Sequence, residues 1–273
     1  MDVVEAHGAR IPVIGLGTMT LKEAVGVEIV KEALRVGYRH LDTAQNYGNE
    51  REVGEGLRAS GVAREDVFIT TKVWWNRFAA GDLERSVDES LERLKLPAVD
   101  LLLLHWPNPQ VPLADTIGSL CKVKRAGFTR HIGVANFTVA LLDEAMRLTT
   151  EPLVTNQIEV HPFIDQTKVM AACKRYGISV TAYCPVARGR VPGNAVLERI
   201  AKTHDKSAAQ VALRYLIQMG LVVIPRTSKK ERLVENIAVF DFTLSEAEMA
   251  EIGTLKRPDG RLVNPPQAPK WDS

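Results

Sequence analysis

The chain has 273 residues, 45% of them hydrophobic and 25% charged, and its 35 basic and 33 acidic residues leave a net charge of +2. That composition excludes a disordered or fibrous chain, and so even a charge balance gives no field to draw in nucleic acid or a membrane surface. The three cysteines, Cys121, Cys173 and Cys184, lie far apart without the paired spacing of a zinc or redox motif, and read as reduced thiols.

The first residues, MDVVEAHGARIPVIG, carry an early acid and no apolar core of leader length. No apolar run is long enough to span a bilayer, so a cytoplasmic protein without a membrane is expected. Two short apolar pieces, VVEA and IPVIG, flank His7-Gly8-Ala9-Arg10 and predict a small β-hairpin over 2–14. GLGT follows at 15–18. Its GxG invites a Rossmann reading, but the third glycine is missing at Thr20 and no βαβ unit surrounds it.

From 24 to 36, Val25, Ile29, Val30, Ala33 and Leu34 recur at helical spacing, with Gly37 as a stop. The strand YRHLD comes next, then a helix over 50–60 with Val53 and Leu57 inward, then the strand VFITT delivering Lys72. A helix over 82–95 places Leu83, Val87, Leu91 and Leu94 on one face and leads to DLLLL and His105. The alternation continues: a helix near 114–126, the strand HIGVA ending at Asn136, a helix near 139–147, LVTNQIE, a helix near 167–176, and ISVTAY. After the loop CPVARGRVPGN come two helices, the second opening on a Ser207/Gln210 capping box and stopping at Gly220. LVVIP reads as a strand, KKERLVENI as a helix, AVFDF as a last short strand, and Ser245 with Glu248 as the cap of a final helix. The stretch 258–273, with four prolines and Trp271, has no periodicity and reads as an ordered or mobile tail.

Counting from YRHLD gives eight short strands, most of them continuous apolar runs as expected of parallel strands covered on both faces. Eight such units predict an α/β fold, a single (β/α)8 TIM barrel spanning 1–273 with an N-terminal β-hairpin and a C-terminal tail. An open doubly wound sheet is the competing arrangement. In a barrel every strand's C-terminal end faces one mouth, so Asp42, Lys72 and His105 converge there and Tyr47 reaches them from the first loop. Singly each has a plainer role: a helix cap, a solvated strand end, a hydrogen-bonded core histidine, a surface tyrosine. Their arrival together at consecutive strand ends argues for chemistry.

The stretches GLGT (15–18), HLDTAQNYGNE (40–50), TTKVWW (70–75), LLLLHWP (101–107), GVANF (133–137), TNQIEVHPF (155–163), AYCPV (182–186) and IPRTSKKERLVENI (224–237) make the chain resemble the aldo-keto reductase superfamily over nearly its whole length, with a likeness to bacterial diketogluconate reductases. The resemblance implies a catalytic tetrad of Asp42, Tyr47, Lys72 and His105. Reducing a carbonyl needs hydride at carbon and a proton at oxygen, and no side chain supplies hydride, so a nicotinamide must. Tyr47 is then the proton donor, its phenol expected to be made more acidic by the Lys72 ammonium. Asp42 pairs with Lys72, and a neutral His105 hydrogen-bonds the substrate oxygen.

Arg226, Lys229, Lys230 and Arg232 crowd the start of a predicted helix, where the macrodipole disfavours cations by about 0.3–1 kcal/mol each. A bound anion reverses that balance; a solvated charged turn is the plain alternative. The resemblance implies an adenosine 2′-phosphate on Arg226, Thr227 and Arg232, with Glu235 and Asn236 at the adenine, and hence NADPH. It also implies Gly17 and Thr18 at the cofactor, Asn136 and Gln157 on the carboxamide, and Tyr183 stacked on the nicotinamide ring. Ala135 stands where the family usually has Ser, which removes one hydroxyl from that cradle. Cys184 also replaces a common Ser.

Trp75 and Trp106 are expected to wall the substrate pocket, with one of Trp74 and Trp75 left to outer packing. The expected partner is a small carbonyl compound: a short aldehyde, a dicarbonyl or a keto-sugar acid. No exposed apolar stripe stands out, so a monomer is expected. Two rival functions remain. A metal-dependent hydrolase could use His40 and Asp42 as a ligand pair, although no further ligands are evident and no metal is expected; a non-catalytic nicotinamide-binding regulator is argued against by the intact tetrad.

Overall fold

The computed structural model describes residues 2–272. His7 and Gly8 take positive φ of 46° and 85°, the pair of left-handed residues that a two-residue hairpin turn requires. β1 (Val3–Ala6) therefore folds back on β2 (Ala9–Pro12) with Ala6 opposite Ala9. The second strand thus starts earlier than the apolar piece IPVIG suggests. Ala6, Ala9 and Ile11 share one buried cluster with Leu101, Leu103, Ala135, Val154 and Val222, so the hairpin is packed against residues of the barrel strands.

Eight parallel strands follow: β3 (Leu16–Gly17), β4 (His40–Asp42), β5 (Phe68–Val73), β6 (Val99–Leu104), β7 (Thr129–Ala135), β8 (Leu153–Glu159), β9 (Ser179–Tyr183) and β10 (Val222–Val223). They pair in chain order, and a parallel bridge between Ile14 and Val223 joins the last to the first. The N–H groups of Gly15 and Gly17 complete the closure by donating to Val223 O and Pro225 O at 2.9 and 3.0 Å. Residue 17 has to be glycine, because a Cβ there would lie 2.8 Å from the carbonyl oxygen of Ile224. Every residue of β6 and β8 is buried, as both faces of a barrel strand are covered. The architecture is the (β/α)8 barrel expected from the sequence.

At both ends of the sheet the strands differ from expectation. The first barrel strand is Leu16–Gly17, too short and too glycine-rich to show a strand pattern. AVFDF forms no strand: the closed sheet offers it no edge, Val239 buries in the apolar core, and Phe240 stays 37% exposed. The barrel still has eight strands, β3 to β10.

The outer layer comprises α1 (Glu23–Arg35), α2 (Glu50–Ser60), α3 (Asp82–Leu94), α4 (Leu113–Arg125), α5 (Val139–Leu148), α6 (Thr167–Arg175), α7 (Ala195–Thr203), α8 (Ala208–Gln218), α9 (Lys230–Ile237) and α10 (Glu246–Gly253). Their apolar stripes and the outward side chains of the strands form one continuous core. Both expected capping boxes, Ser207 with Gln210 and Ser245 with Glu248, are present. In α1 the buried stripe begins at Gly26, so Val25 is turned outward and is 57% exposed, against expectation.

The tail after α10 is tied down. Glu159, at the end of β8, accepts the N–H groups of Leu262 and Val263 at 2.7 and 3.0 Å. Further on, Trp271 packs edge-on against Trp106 and carries the Arg261 guanidinium 3.6 Å from its ring centre.

Candidate active site

The strand register sets the site. β4 ends at Asp42, paired with Thr70 of β5, and Lys72 follows two residues further along β5. His105 comes directly after β6 and donates its N–H to Val73 O at 3.0 Å. Tyr47 closes a short turn over 45–47 that folds back over the end of β4.

These four side chains meet. Lys72 Nζ lies 2.5 Å from Asp42 Oδ1, 2.9 Å from Thr43 O and 3.4 Å from Tyr47 Oη, so all three ammonium protons have acceptors. Lys72 and Asp42 are almost wholly buried. Asp42 Oδ2 accepts from Gln157 Nε2 at 2.7 Å, so both carboxylate oxygens are engaged. The rings of Tyr47 and Trp74 stand edge-on to His105, with centroids 5.6 and 5.1 Å away.

Burial disfavours the charge on Lys72, but Asp42 and then Tyr47 outweigh it and hold the ammonium above its ordinary value. Burial, then the Lys72 charge, push His105 well below the usual imidazole value, so this ring is neutral. Its Nδ1 is buried without a hydrogen-bond partner, which fits a neutral ring with an acceptor lone pair on Nδ1 and the proton on Nε2. Tyr47 departs from expectation: burial raises its phenol above the ordinary value, and the opposing pull of Lys72 does not overcome that. The sequence shows the ammonium but not the depth of the pocket.

Around this cluster lie the residues expected at a nicotinamide. Asn136, in left-handed backbone at φ 63°, donates to His105 O at 2.9 Å and accepts from Tyr183 Oη at 2.7 Å. Gln157 uses its N–H on Asp42, and its Oε1 makes no hydrogen bond among the described residues. Tyr183 is half-buried, and Ala135 is buried in β7. The Cys184 thiol is raised by burial, with Arg188 opposing.

A second cluster adjoins through β3. Thr18 Oγ1 donates to Asp42 O at 2.9 Å, and a Cβ on Gly17 would touch the Arg226 side chain at 3.6 Å. Arg226 reaches back to Met19 O at 3.1 Å and to the Thr20 hydroxyl. Thr227 is buried and accepts the Lys229 N–H at 3.0 Å. No side chain caps the N-terminus of α9. Lys230 pairs with Glu28 at 3.4 Å, whereas Lys229 and Arg232 are exposed and have no carboxylate within 4.0 Å among the described residues. Glu235 accepts from the Ser207 hydroxyl at 2.5 Å, and Asn236 is buried.

The tryptophans divide. Trp106 is buried under Trp271. Trp74, not Trp75, faces His105, while Trp75 packs against the apolar core and its carbonyl accepts from Asn108 at 2.9 Å. Sequence reasoning passed over Gln45 and Asn49. Asn49 is buried, accepts from Thr43 Oγ1 at 2.8 Å and donates to Thr18 O and Leu21 O. A fully polar stretch such as QNYGNE beside a strand end is the signal that was available. His40 is buried with its Nε2 on Thr70 Oγ1 at 3.1 Å, and burial pushes its imidazole down to about 4. No group of three or more His, Cys, Asp or Glu among the described residues could hold a metal ion. A separate cleft of about 580 Å³, bounded by Val4, Met170, Cys173, Tyr215 and Met219, contains none of the tetrad residues.

The model of the aldo/keto reductase family matches residues 13–257. The chain is 41% identical over 266 residues to methylglyoxal reductase DkgB of Yersinia pestis, covering 96% of this chain and 99% of that protein. It is 40% identical to the glyoxal reductase of Bacillus subtilis, covering 97% and 96%. A crystal structure assigned as a 2,5-diketo-D-gluconic acid reductase B superposes with a TM-score of 0.98 at 48% identity, over 100% of this chain and 98% of the other.

Proposed function

Since this chain belongs to the aldo/keto reductase family, we propose that it reduces small aldehydes, dicarbonyls or keto-sugar acids with NADPH, Tyr47 delivering the proton to the carbonyl oxygen. The observation that carries this reading is the placement of one ammonium, Lys72, between Asp42 and the Tyr47 phenol beside a neutral His105. Relatives named for methylglyoxal and glyoxal favour small dicarbonyls among the candidate substrates.

The residues present fit a nicotinamide dinucleotide phosphate. Gln157 Oε1 has spare acceptor capacity next to Asp42, where it would take an N–H of the carboxamide, with Asn136 beside it and Tyr183 against the ring. Gly17 and Thr18 lie between the tetrad and Arg226. At the uncapped start of α9, Arg226, Thr227 and Arg232 would take the 2′-phosphate, with Glu235 and Asn236 toward the adenine. When bound, the reduced nicotinamide supplies the hydride.

The protein's own part is electrostatic. The raised phenol keeps Tyr47 protonated at neutral pH, as a donor must be. As its proton moves to the carbonyl oxygen, the negative charge forming on Tyr47 meets Lys72, already charged and fixed by Asp42. His105 holds the carbonyl oxygen through Nε2–H without bringing a second positive charge. Trp74 and Trp106, with Trp75 further out, would wall the pocket, and the tail over Trp106 would limit its size.

The whole chain then acts as one catalytic domain, a cytoplasmic monomer, in keeping with its three unpaired thiols and even charge. The test is a carbonyl panel followed by NADPH absorbance, repeated with NADH and with a chelator. Chelator-insensitive NADPH consumption with at least one small aldehyde is expected; no consumption across the panel contradicts the proposal.

A further inference from the structure

The turn bearing Tyr47 is bracketed by two side-chain amides, Gln45 and Asn49. Asn49 ties its far side to the loop after β3. Gln45 ties its near side to β5 and α3. Gln45 Oε1 accepts the Trp74 N–H at 2.9 Å, and its Nε2 donates to Ser86 O at 2.9 Å, with Ser86 Oγ and Ser90 Oγ each at 3.1 Å.

The bond to Trp74 involves a particular peptide. The unit joining Val73 and Trp74 donates its N–H to Gln45, and its carbonyl oxygen accepts the His105 N–H at 3.0 Å. A peptide is planar and stiff, so its two ends move together. On the other side, the N–H groups of Tyr47 and Gly48 bond to Ala44 O and Gln45 O at 3.0 and 3.1 Å, which fixes Tyr47 relative to Gln45. The same peptide leads into Trp74, whose ring stands edge-on to His105, as does that of Tyr47. The Tyr47 side chain itself has, among the described residues, only the long 3.4 Å hydrogen bond from Lys72, so its position depends on how the turn is held.

We infer that Gln45 is a positioning residue for proton delivery: its side-chain amide holds the Tyr47 turn to the peptide unit that also holds His105, and so sets the gap in which a carbonyl oxygen is gripped. The inference rests on the reading of Tyr47 as the proton donor. Displacements of about 1 Å at such a gap cost on the order of a hundredfold in rate.

Gln45→Met keeps the length of the side chain and removes its hydrogen bonds, while Gln45→Glu retains an acceptor for the Trp74 N–H. Active protein is counted by NADPH fluorescence titration, and kcat and KM for one small aldehyde are expressed per NADPH-binding site. Expected is a kcat at least tenfold lower in Gln45→Met, with NADPH affinity and aldehyde KM within about twofold of wild type, and recovery of most of that loss in Gln45→Glu. Wild-type kcat in Gln45→Met, or equal impairment of both variants together with weakened NADPH binding, overturns the inference and leaves the reductase reading standing. A wild-type protein without turnover overturns the reductase reading and this inference with it.

Discussion

Gln157 Nε2 donates to Asp42 Oδ2 at 2.7 Å across 115 positions of sequence, from within β8 to the end of β4. An acceptor-only carboxylate fixes which way round that amide sits, and so turns Oε1 away from Asp42. Gln157→Leu should therefore lose on two counts. Leaving the buried oxygen of Asp42 short of a donor costs about 1–3 kcal/mol of folding stability, and losing Oε1 weakens NADPH binding. Urea unfolding and fluorescence titration of the same variant check both; wild-type affinity in a destabilised variant would remove Gln157 from the cofactor.

The Lys72–Asp42 pair is buried, so removing one member strands the other. Lys72→Met should cost about 3–5 kcal/mol of stability. Asp42→Asn combined with Lys72→Met should regain a large part of that, because no unpaired charge remains, while turnover stays lost. A double-mutant cycle by chemical denaturation is the measurement, and additive losses would contradict the pairing.

Two buried neutral imidazoles make stability depend on mild acid. Burial holds His40 down at about 4 and His105 well below 6.5. Once unfolded, both take up a proton as pH falls past about 6.5. Their contribution is therefore complete above 6.5 and is lost as pH drops from there toward the depressed folded values. For His40 alone the loss by pH 4 is roughly 3 kcal/mol. Urea midpoints at pH 7.5, 6 and 5 should fall steadily, and His40→Gln should flatten the slope; equal midpoints for wild type at all three would contradict the burial argument.

Arg232 is the cleaner test of the phosphate site. Arg226 also holds Met19 and Thr20, so its removal disturbs a loop. Arg232→Ala should weaken NADPH by about tenfold, near 1.4 kcal/mol, and leave NADH unchanged. Equal weakening of both cofactors would place the 2′-phosphate elsewhere.

The convergence of Asp42, Lys72 and His105 was legible because each sits at or next to a strand end, and strand ends show in a sequence as the last residue of an apolar run; Tyr47 lies in the turn that follows β4. Leu16–Gly17 was not legible, since two residues, one of them glycine, show no alternation and are a strand only by pairing with Leu41 and Asp42 of β4, with the Gly17 N–H bonded to Pro225 O some 200 positions away. AVFDF shows the converse, a strand-like composition with no free edge to join. Which of Trp74 and Trp75 stands beside His105 was not legible for a related reason: side-chain alternation ends with the strand at Val73, so parity no longer decides it. The acidity of Tyr47 was misjudged because a neighbouring charge can be read from sequence while burial cannot. Gln45 was passed over because its importance lies in a peptide unit shared with His105.

The central claim is that the Tyr47 phenol delivers the proton. Tyr47→Phe removes only that hydroxyl, and the direct measurement is aldehyde-dependent NADPH oxidation under saturating cofactor, with NADPH affinity determined on the same sample. The account predicts a fall in turnover of about 10²–10⁴-fold with NADPH affinity nearly unchanged; turnover at the wild-type rate would contradict it.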